Sequence, residues 1–258
     1  MRVYLAEGGN MFKAACRENK PLTKDGSGAE LFKGTNILQS FYYCDDFTES
    51  VILPNCKNFL LDSGAFTFMS NTKKSVDWEA YLQRYIDFIN SNKIKHFFEL
   101  DLDSVVGYDR VKEIRRKLEA GTGKPCIPVW HKSRGKAEFI KMCEEYDYVA
   151  IGGIVTKEIT RQEHSFFPWF INKAHEHGAA IHGLGYTSLD GLTKYHFDSV
   201  DSTAWASGNR FGQLYNFNGK TVVPRKRREG ERVAHHGKVA LHNFSEWVKF
   251  QQYAETHL

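Results

Sequence analysis

Several features that mark special classes of protein are missing from this sequence. Its five cysteines are an odd number with no CxxC pair, which argues against a disulfide framework and against a zinc site built from cysteine. No stretch approaches the roughly 18 consecutive apolar residues that a membrane span needs, and the start, MRVYLAEGG, lacks the apolar run and cleavage site of a signal peptide. We expect a soluble protein of the reducing cytoplasm, with no membrane partner.

A strong excess of one charge is also missing. The 35 Lys and Arg residues and the 31 Asp and Glu residues leave a formal charge of +4, which permits a polyanionic partner without requiring one. No linker, low-complexity stretch or internal repeat divides the chain. Its 258 residues, 41% hydrophobic and 14% aromatic, are enough to bury one sizeable core. We therefore expect a single domain over residues 1–258.

Short β-branched and aromatic runs alternate with longer amphipathic stretches along most of the chain. Strands are predicted over Val3–Ala6, Ile37–Tyr43, Phe59–Leu61, His96–Leu102, Cys126–Trp130, Tyr148–Ile151, Ala180–Leu184 and Ser199–Thr203. Helices are predicted over Val76–Asn90, Tyr108–Leu118, Lys136–Cys143 and Arg161–His175. This alternation is typical of a parallel sheet with right-handed crossovers, and eight strands predict a TIM-type (β/α)8 barrel of the α/β class.

The C-terminal part departs from the alternation. Asn209–Val223 predicts a loop followed by a hairpin, with an Asn-Gly turn at Asn218 and Gly219. A basic stretch, PRKRREGER, comes next. Asn243–Thr256 then predicts a last amphipathic helix that packs back on the barrel.

Polar residues and glycines end many of the predicted strands, where the catalytic residues of such barrels lie. They are Asp62, Asp101, Asp103, His131, Gly152, Gly153, His182, Gly185 and Asp201. Each has an ordinary alternative: an Asp can cap a helix, a His can pack in the core, and a Gly can form a turn instead of admitting a flat ligand. Asp103 suits a helix cap better than Asp101 does. Four carboxylates and two imidazoles on one rim nevertheless favour a functional site.

Four stretches carry a resemblance to one enzyme family. They are DSGAF at 62–66, YVAIGGIVTKE at 148–158, HGLGYTSLDGL at 182–192 and DSTAWASGNRFGQLYNFNGKTVVPRKRR at 201–228. In order, they resemble the segments DSGGFQ, GGLAVGE, MGVGTPEDLL and DCVMPTRNARxGxxFTxxGxxxxRNARF of the tRNA-guanine transglycosylases and their DNA-modifying relatives, the DpdA proteins of bacteria and phages. Asp201 and Arg210 are nine residues apart, as in the family segment. Four matches in the same order are improbable by chance.

The resemblance implies a function and a set of roles. It implies an enzyme that exchanges guanine in a nucleic acid for a 7-deazaguanine base, such as 7-cyano-7-deazaguanine, with Asp201 as the nucleophile and Asp62 as the general acid/base. The residues it assigns to the base are Asp101, His131 in place of a family Gln, and Gly152, Gly153 and Ile154 through their backbones, to which we add His182 and Gly185. The residues expected to contact phosphate are Arg210, Arg225, Lys226, Arg227 and Arg228, although the last four also fit a solvated charge run. Phe66, Tyr186 and Trp205 are candidates to stack on the base or to pack in the core.

The departures from the family narrow this expectation. Ala65 and Thr67 replace a Gly and a Gln, and the CxCxxC and distant His that bind zinc in the tRNA enzymes are missing. The chain is also much shorter than those enzymes. We therefore expect DNA as the substrate, with tRNA as the alternative, and neither a metal nor a cofactor. A duplex hides the target base, so the substrate should be a flipped or single-stranded guanine nucleotide together with the free 7-deazaguanine base.

Two other classes of function compete with this one. A metal-dependent hydrolase barrel could use His131, His182 and Asp201 as ligands, but such sites usually add an HxH on the first strand, which here offers only Glu7. A nucleic-acid-binding subunit without catalysis is the second, and the presence of both Asp62 and Asp201 argues against it.

Overall fold

Strands and helices alternate along the chain in an α/β fold. The computed structural model describes residues 1–7, 10–64, 67, 76–186, 188–210, 212–225 and 235–258, without the side chains of residues 207, 209 and 210. The strands are β1 Arg2–Glu7, β2 Asn36–Ser40, β3 Asn58–Asp62, β4 His96–Phe97, β5 Val129–Trp130, β6 Tyr148–Ile151, β7 Ala180–Gly183, β8 Ser199–Ser202, β9 Tyr215–Phe217 and β10 Val222–Pro224.

Helices follow most of these strands. They are α1 Met11–Asn19, α2 Leu53–Asn55, α3 Trp78–Ser91, α4 Asp103–Val106, α5 Tyr108–Thr122, α6 Gly135–Glu145, α7 Phe167–Glu176, α8 Leu189–Leu192, α9 Ala204–Arg210 and α10 His236–His257. Short 3-10 turns lie at Lys20–Leu22, Ala29–Phe32, Phe41–Tyr43, Lys132–Arg134 and Arg161–Phe166, and a π turn at Thr48–Ile52. Within the described ranges, no helix is both long enough and apolar enough to cross a membrane.

The first eight strands form one sheet in the order β4-β3-β2-β1-β8-β7-β6-β5. The pairs β1 and β8, β3 and β4, β5 and β6, and β6 and β7 are parallel. Every predicted strand overlaps an observed one, so the prediction of an α/β fold with a parallel sheet is confirmed. The predicted strand His96–Leu102 is shorter than expected because Leu102 donates its N–H to the carbonyl of Leu100 at 2.9 Å, a tight turn that ends the extended run.

One compact unit comprises Gln39–Cys44 and Phe59–Leu184. Its helix α3 begins where the Asp77 carboxylate accepts the N–H of Ala80 at 3.1 Å, and it buries one apolar face that includes Tyr85. The Tyr85 hydroxyl donates to the carbonyls of Leu61 and Phe98. A parallel bridge joins Phe98 to Ile127, next to β4 and β5. Helix α3 is therefore tied by its core face to the ends of β3 and β4.

The other compact unit comprises Met1–Leu38, Asp45–Asn58 and Gly185–Leu258. Its helix α10 starts at His236, seven residues before the predicted start at Asn243. The buried Gln251 amide of this helix donates to the carbonyls of Val3 and Asn36 and accepts the N–H of Asn36 at 2.9 Å. One glutamine side chain thus satisfies backbone groups of both β1 and β2.

Strands β9 and β10 pair antiparallel, with Val222 opposite Phe217. Asn218 donates its N–H to the Thr221 carbonyl at 3.0 Å, and its side-chain oxygen accepts the N–H groups of Lys220 and Thr221. Gly219 has a φ of +95°, a conformation that favours glycine.

Candidate functional site

A run of three alternating acidic residues follows β4. Glu99, Asp101 and Asp103 alternate with Leu100 and Leu102, whose side chains are buried in the core. All three carboxylates bind basic residues in the short segment that follows β5, from His131 to Arg134. The alternation therefore puts a hydrophobic face into the core and an acidic face against a basic turn.

His131 lies between two carboxylates. Its Nε2 is 3.0 Å from Oδ2 of Asp101, and its Nδ1 is 3.0 Å from Oε2 of Glu158. The other oxygen of Glu158 accepts the N–H of Ser133 at 3.1 Å. With both ring nitrogens held by acceptors, the imidazole is fixed in orientation and favoured in its doubly protonated form.

A tight loop after β6 brings Glu158 to this place. Ile159 donates its N–H to the Gly153 carbonyl at 3.0 Å, which folds the loop back on its own start. Gly153 has a φ of +79°, and a Cβ there would lie 2.8 Å from Oε2 of Glu158. A Cβ on Gly152 would lie 2.8 Å from Cε1 of His131. The two glycines thus make room for the side chains of His131 and Glu158.

The electrostatics of this cluster favour a charged imidazole. Burial lowers the pKa of His131, but hydrogen bonds and charge attraction to Asp101, with a hydrogen bond to Glu158, outweigh that effect and raise the pKa to about 9. Burial raises the pKa of Asp101, and its hydrogen bond to His131 opposes that rise. At neutral pH we assign an imidazolium held by carboxylates.

This raised pKa gives a pH dependence of stability. The contribution of His131 is fully present below its ordinary pKa of 6.5 and is lost as the pH rises through about 9. Between those values the unfolding free energy should fall by up to about 3 kcal/mol more in the wild type than in His131→Gln. Urea denaturation of both proteins from pH 6 to 10 measures the difference. Parallel curves over that range would contradict the assignment of an imidazolium.

A second set of ion pairs flanks Asp101. Arg134 donates from Nη1 to Glu99 at 2.8 Å, and from Nε and Nη2 to the two oxygens of Asp103 at 2.8 and 2.6 Å. Arg115 donates to the other oxygen of Glu99 at 2.6 Å. The interpretation of Asp103 as a helix cap is wrong, because Leu102 occupies the N-cap position of α4 and the Asp103 carboxylate, in the first turn, binds Arg134. Glu99 and both arginines were not singled out from the sequence.

Asp62 is the last residue of β3. Its Oδ2 accepts the N–H of Gly64 at 3.0 Å. Gly64 has a φ of +82°, and a Cβ there would lie 2.9 Å from the hydroxyl of Tyr81 and 3.0 Å from Oγ of Ser40. Burial first, and then the negative charge of Asp62, raise the pKa of Tyr81. A glycine is thus required two residues after the carboxylate to form this turn.

Asp201 lies within β8, in the other unit. Its buried carboxylate accepts the N–H of Gly185 through Oδ1 at 2.5 Å, and the residue pairs with Tyr4 of β1. Gly185 has a φ of +71°. A direct hydrogen bond thus joins Gly185 and Asp201, two of the residues that the sequence placed at strand ends.

The segment after Asp201 is held by a buried asparagine. Asn243 donates to the carbonyls of Trp205 and Gln213 at 3.3 and 2.9 Å and accepts the N–H of Tyr215 at 3.0 Å. The Trp205 indole donates to the Ala6 carbonyl at 2.9 Å. These contacts hold the backbone in the first turn of α9 and after its last residue, Arg210.

Other residues predicted for the site have different surroundings. His182 is fully buried, with its ring centroid 5.3 Å from that of Phe98 and 6.5 Å from that of Tyr148, so it occupies a core position. Trp205 and Tyr186 are also buried, which favours the alternative of core packing over stacking on a base.

The predicted phosphate contacts are only partly described. Arg225 is exposed directly after β10, and its N–H binds the Leu214 carbonyl at 2.8 Å. The side chain of Arg210 and the residues Phe66, Lys226, Arg227 and Arg228 lie outside the described part of the chain. Ile154 is half-buried at the start of the loop after β6.

Metal binding and similarity to known proteins are two further kinds of evidence on this site. In the part of the chain that the structure describes, no group of three or more His, Cys, Asp or Glu side chains is arranged to hold a metal ion. No protein-family model matches the sequence, and no curated protein matches it.

Proposed function

We propose that this protein is a transglycosylase that exchanges guanine in DNA for a 7-deazaguanine base. One observation carries the proposal: the residues that match the family segments lie at or near the carboxyl ends of strands β3, β6 and β8 of one sheet. Asp62 ends β3, Gly152 and Gly153 follow β6, and Asp201 is the third of four residues in β8. Asp101 and His131, placed by the same resemblance, follow β4 and β5. Enzymes built on parallel strands carry their chemistry at these ends.

We further propose that the sheet closes into a (β/α)8 barrel. Strands β4 and β5 stand at the two ends of the strand order. The parallel bridge between Phe98 and Ile127, and the hydrogen bond of 2.8 Å from the Ile127 N–H to the Phe97 carbonyl, support their pairing.

The proposed reaction has two displacements at the C1′ carbon of the sugar. The Asp201 carboxylate attacks C1′, the bond from C1′ to N9 of guanine breaks, and its electron pair leaves with the base, which takes a proton from Asp62. Asp62 then removes the N9 proton of the incoming base. N9 attacks C1′ and the ester bond returns its electrons to Asp201. Two inversions retain the configuration, as in retaining glycosidases, and no net proton is consumed.

Base recognition would use the cluster after β4, β5 and β6. Asp101 keeps Oδ1 for the amino and imino donors of guanine, since Oδ2 faces His131. The N–H of Gly152 already donates to the Trp130 carbonyl at 2.8 Å. The donors to the carbonyl of the base are therefore the N–H groups of Gly153 and Ile154. Binding of this kind distinguishes guanine and its 7-deaza analogues from adenine.

An exchange assay tests the function. DNA and tRNA of matched guanine content, labelled in guanine, are incubated with the protein and free 7-cyano-7-deazaguanine, and release of labelled guanine is followed. We expect release from DNA, faster from a single strand than from a duplex, because a paired base must first be unstacked. Release from tRNA alone would replace DNA by tRNA as the substrate. Release from neither, with several 7-deazaguanine bases tried, would refute the proposal.

A further inference from the structure

Arg134 makes several buried contacts, but the proposed reaction gives this residue no role. Its side chain is only 1% exposed and makes three hydrogen bonds to Glu99 and Asp103. Its guanidinium carbon lies 4.2 Å from the ring centroid of Tyr108. A buried guanidinium with two carboxylates and an aromatic face is held in one orientation.

The two carboxylates that Arg134 binds stand on either side of Asp101. Glu99 precedes Asp101 by two residues and Asp103 follows it by two, so one guanidinium clamps the backbone that carries Asp101. Glu99 also accepts the N–H of Val129 at 2.7 Å, which anchors the clamp to β5.

The same turn carries the partner of Asp101. Arg134 is three residues after His131 and donates its N–H to the His131 carbonyl at 2.9 Å. A shift of Arg134 therefore moves both members of the pair of Asp101 and His131. The ring of His131 contacts Asp101 and Glu158, and the charge of Arg134 also acts on it.

We propose that Arg134 is the positioning residue that holds Asp101 and His131 in register for the incoming base. The part that concerns the base rests on the proposed function, whereas the part that concerns the two side chains does not. Lysine is a poor substitute, because its single ammonium group has no planar fork with which to bridge Glu99 and Asp103.

NMR titration of the His131 ring in Arg134→Lys tests the inference, because this variant keeps the positive charge and loses the bridge. If Arg134 positions the pair, the contact between Asp101 and His131 loosens, and the pKa of His131 falls from about 9 toward 6.5, by roughly one unit or more. If Arg134 acts only through its charge, the pKa stays where it is, and the inference is overturned.

Arg134→Gln separates the two effects by sign. Arg134 lowers the pKa of His131 by charge repulsion, so a role through charge alone predicts a rise in this variant, and a positioning role predicts a fall. A rise overturns the inference. If this variant does not fold, Arg134→Lys decides alone.

Arg115→Lys is the matched control, since Arg115 is also buried and also binds Glu99 but has no bond to Asp103. It should leave the pKa of His131 unchanged while costing comparable stability. An equal fall in the pKa in both variants would mean that loss of Glu99 pairing, rather than the clamp, moves His131, and would also overturn the inference.

Exchange kinetics distinguish a failure of the positioning role of Arg134 from a failure of the proposed function. In exchange assays, Arg134→Lys should raise the KM for the incoming base about tenfold with a smaller change in kcat, since misplacing Asp101 weakens ground-state and transition-state binding together. If the wild type shows no exchange activity but the pKa of His131 still falls in Arg134→Lys, the proposed function is refuted and the clamp is kept. If Arg134→Lys shows normal exchange and an unchanged pKa of His131, the clamp is refuted and the proposed function is kept.

Discussion

Replacing Asp201 by Asn will abolish base exchange and leave the protein folded. The amide oxygen of Asn accepts the Gly185 N–H as Oδ1 of Asp201 does, so the local hydrogen bond survives. The amide has no negative oxygen with which to form an ester at C1′. Loss of a covalent nucleophile lowers the exchange rate on the order of 10⁴-fold or more.

The covalent intermediate gives a second measurement of this variant. Wild-type protein incubated with guanine-containing DNA and no incoming base should yield a protein–DNA adduct that survives denaturing electrophoresis, and Asp201→Asn should yield none. Asp198→Asn is the matched control, since Asp198 is an exposed carboxylate just before β8. Exchange by Asp201→Asn at the wild-type rate would show that another group attacks the sugar.

The sequence predicted the strands well because their signals are local. Apolar runs bounded by polar residues mark β1 to β8, and each observed strand lies within a few residues of its prediction. The start of α10 was placed too late because His236 to His242 carry few large apolar residues, yet Val239 and Ala240 pack in the core. Tertiary contacts extend the helix where periodicity is weak.

The candidate site was predicted only in part because its pairings join distant residues. Asp101 and His131 stood out as polar ends of strands, but the bonds from His131 to Glu158 and from Arg134 to Glu99 span 27 and 35 residues. Hydrophobic periodicity cannot predict pairings between residues that are so far apart in the sequence. Glu158 could have been noticed as the last residue of the GGIVTKE stretch. Asp103 was misjudged because a capping rule considers only the following helix, and the pairing with Arg134 prevails over it.

Glu99 lies among buried ion pairs. Of the carboxylates that we propose to change, its replacement should therefore cost the most stability. Glu99 is 0% exposed and neutralises Arg115 and Arg134. Glu99→Gln preserves the shape of the side chain but leaves two buried guanidinium groups short of one negative charge. Removing one partner from a buried ion pair costs about 3 to 5 kcal/mol. Urea denaturation at pH 7 should show a lower midpoint with an unchanged slope.

Glu79→Gln isolates burial as the cause of that loss. Glu79 also binds two cations, Arg110 and Lys117, but its side chain is 51% exposed. Water solvates those cations when the carboxylate is removed, so the expected cost is below about 1 kcal/mol. The two carboxylates have the same number of cationic partners and differ in solvent access, and a difference of several-fold between the variants follows. Equal small losses would mean that Arg115 and Arg134 are stabilised without Glu99, and the clamp around Asp101 would then depend on Asp103 alone.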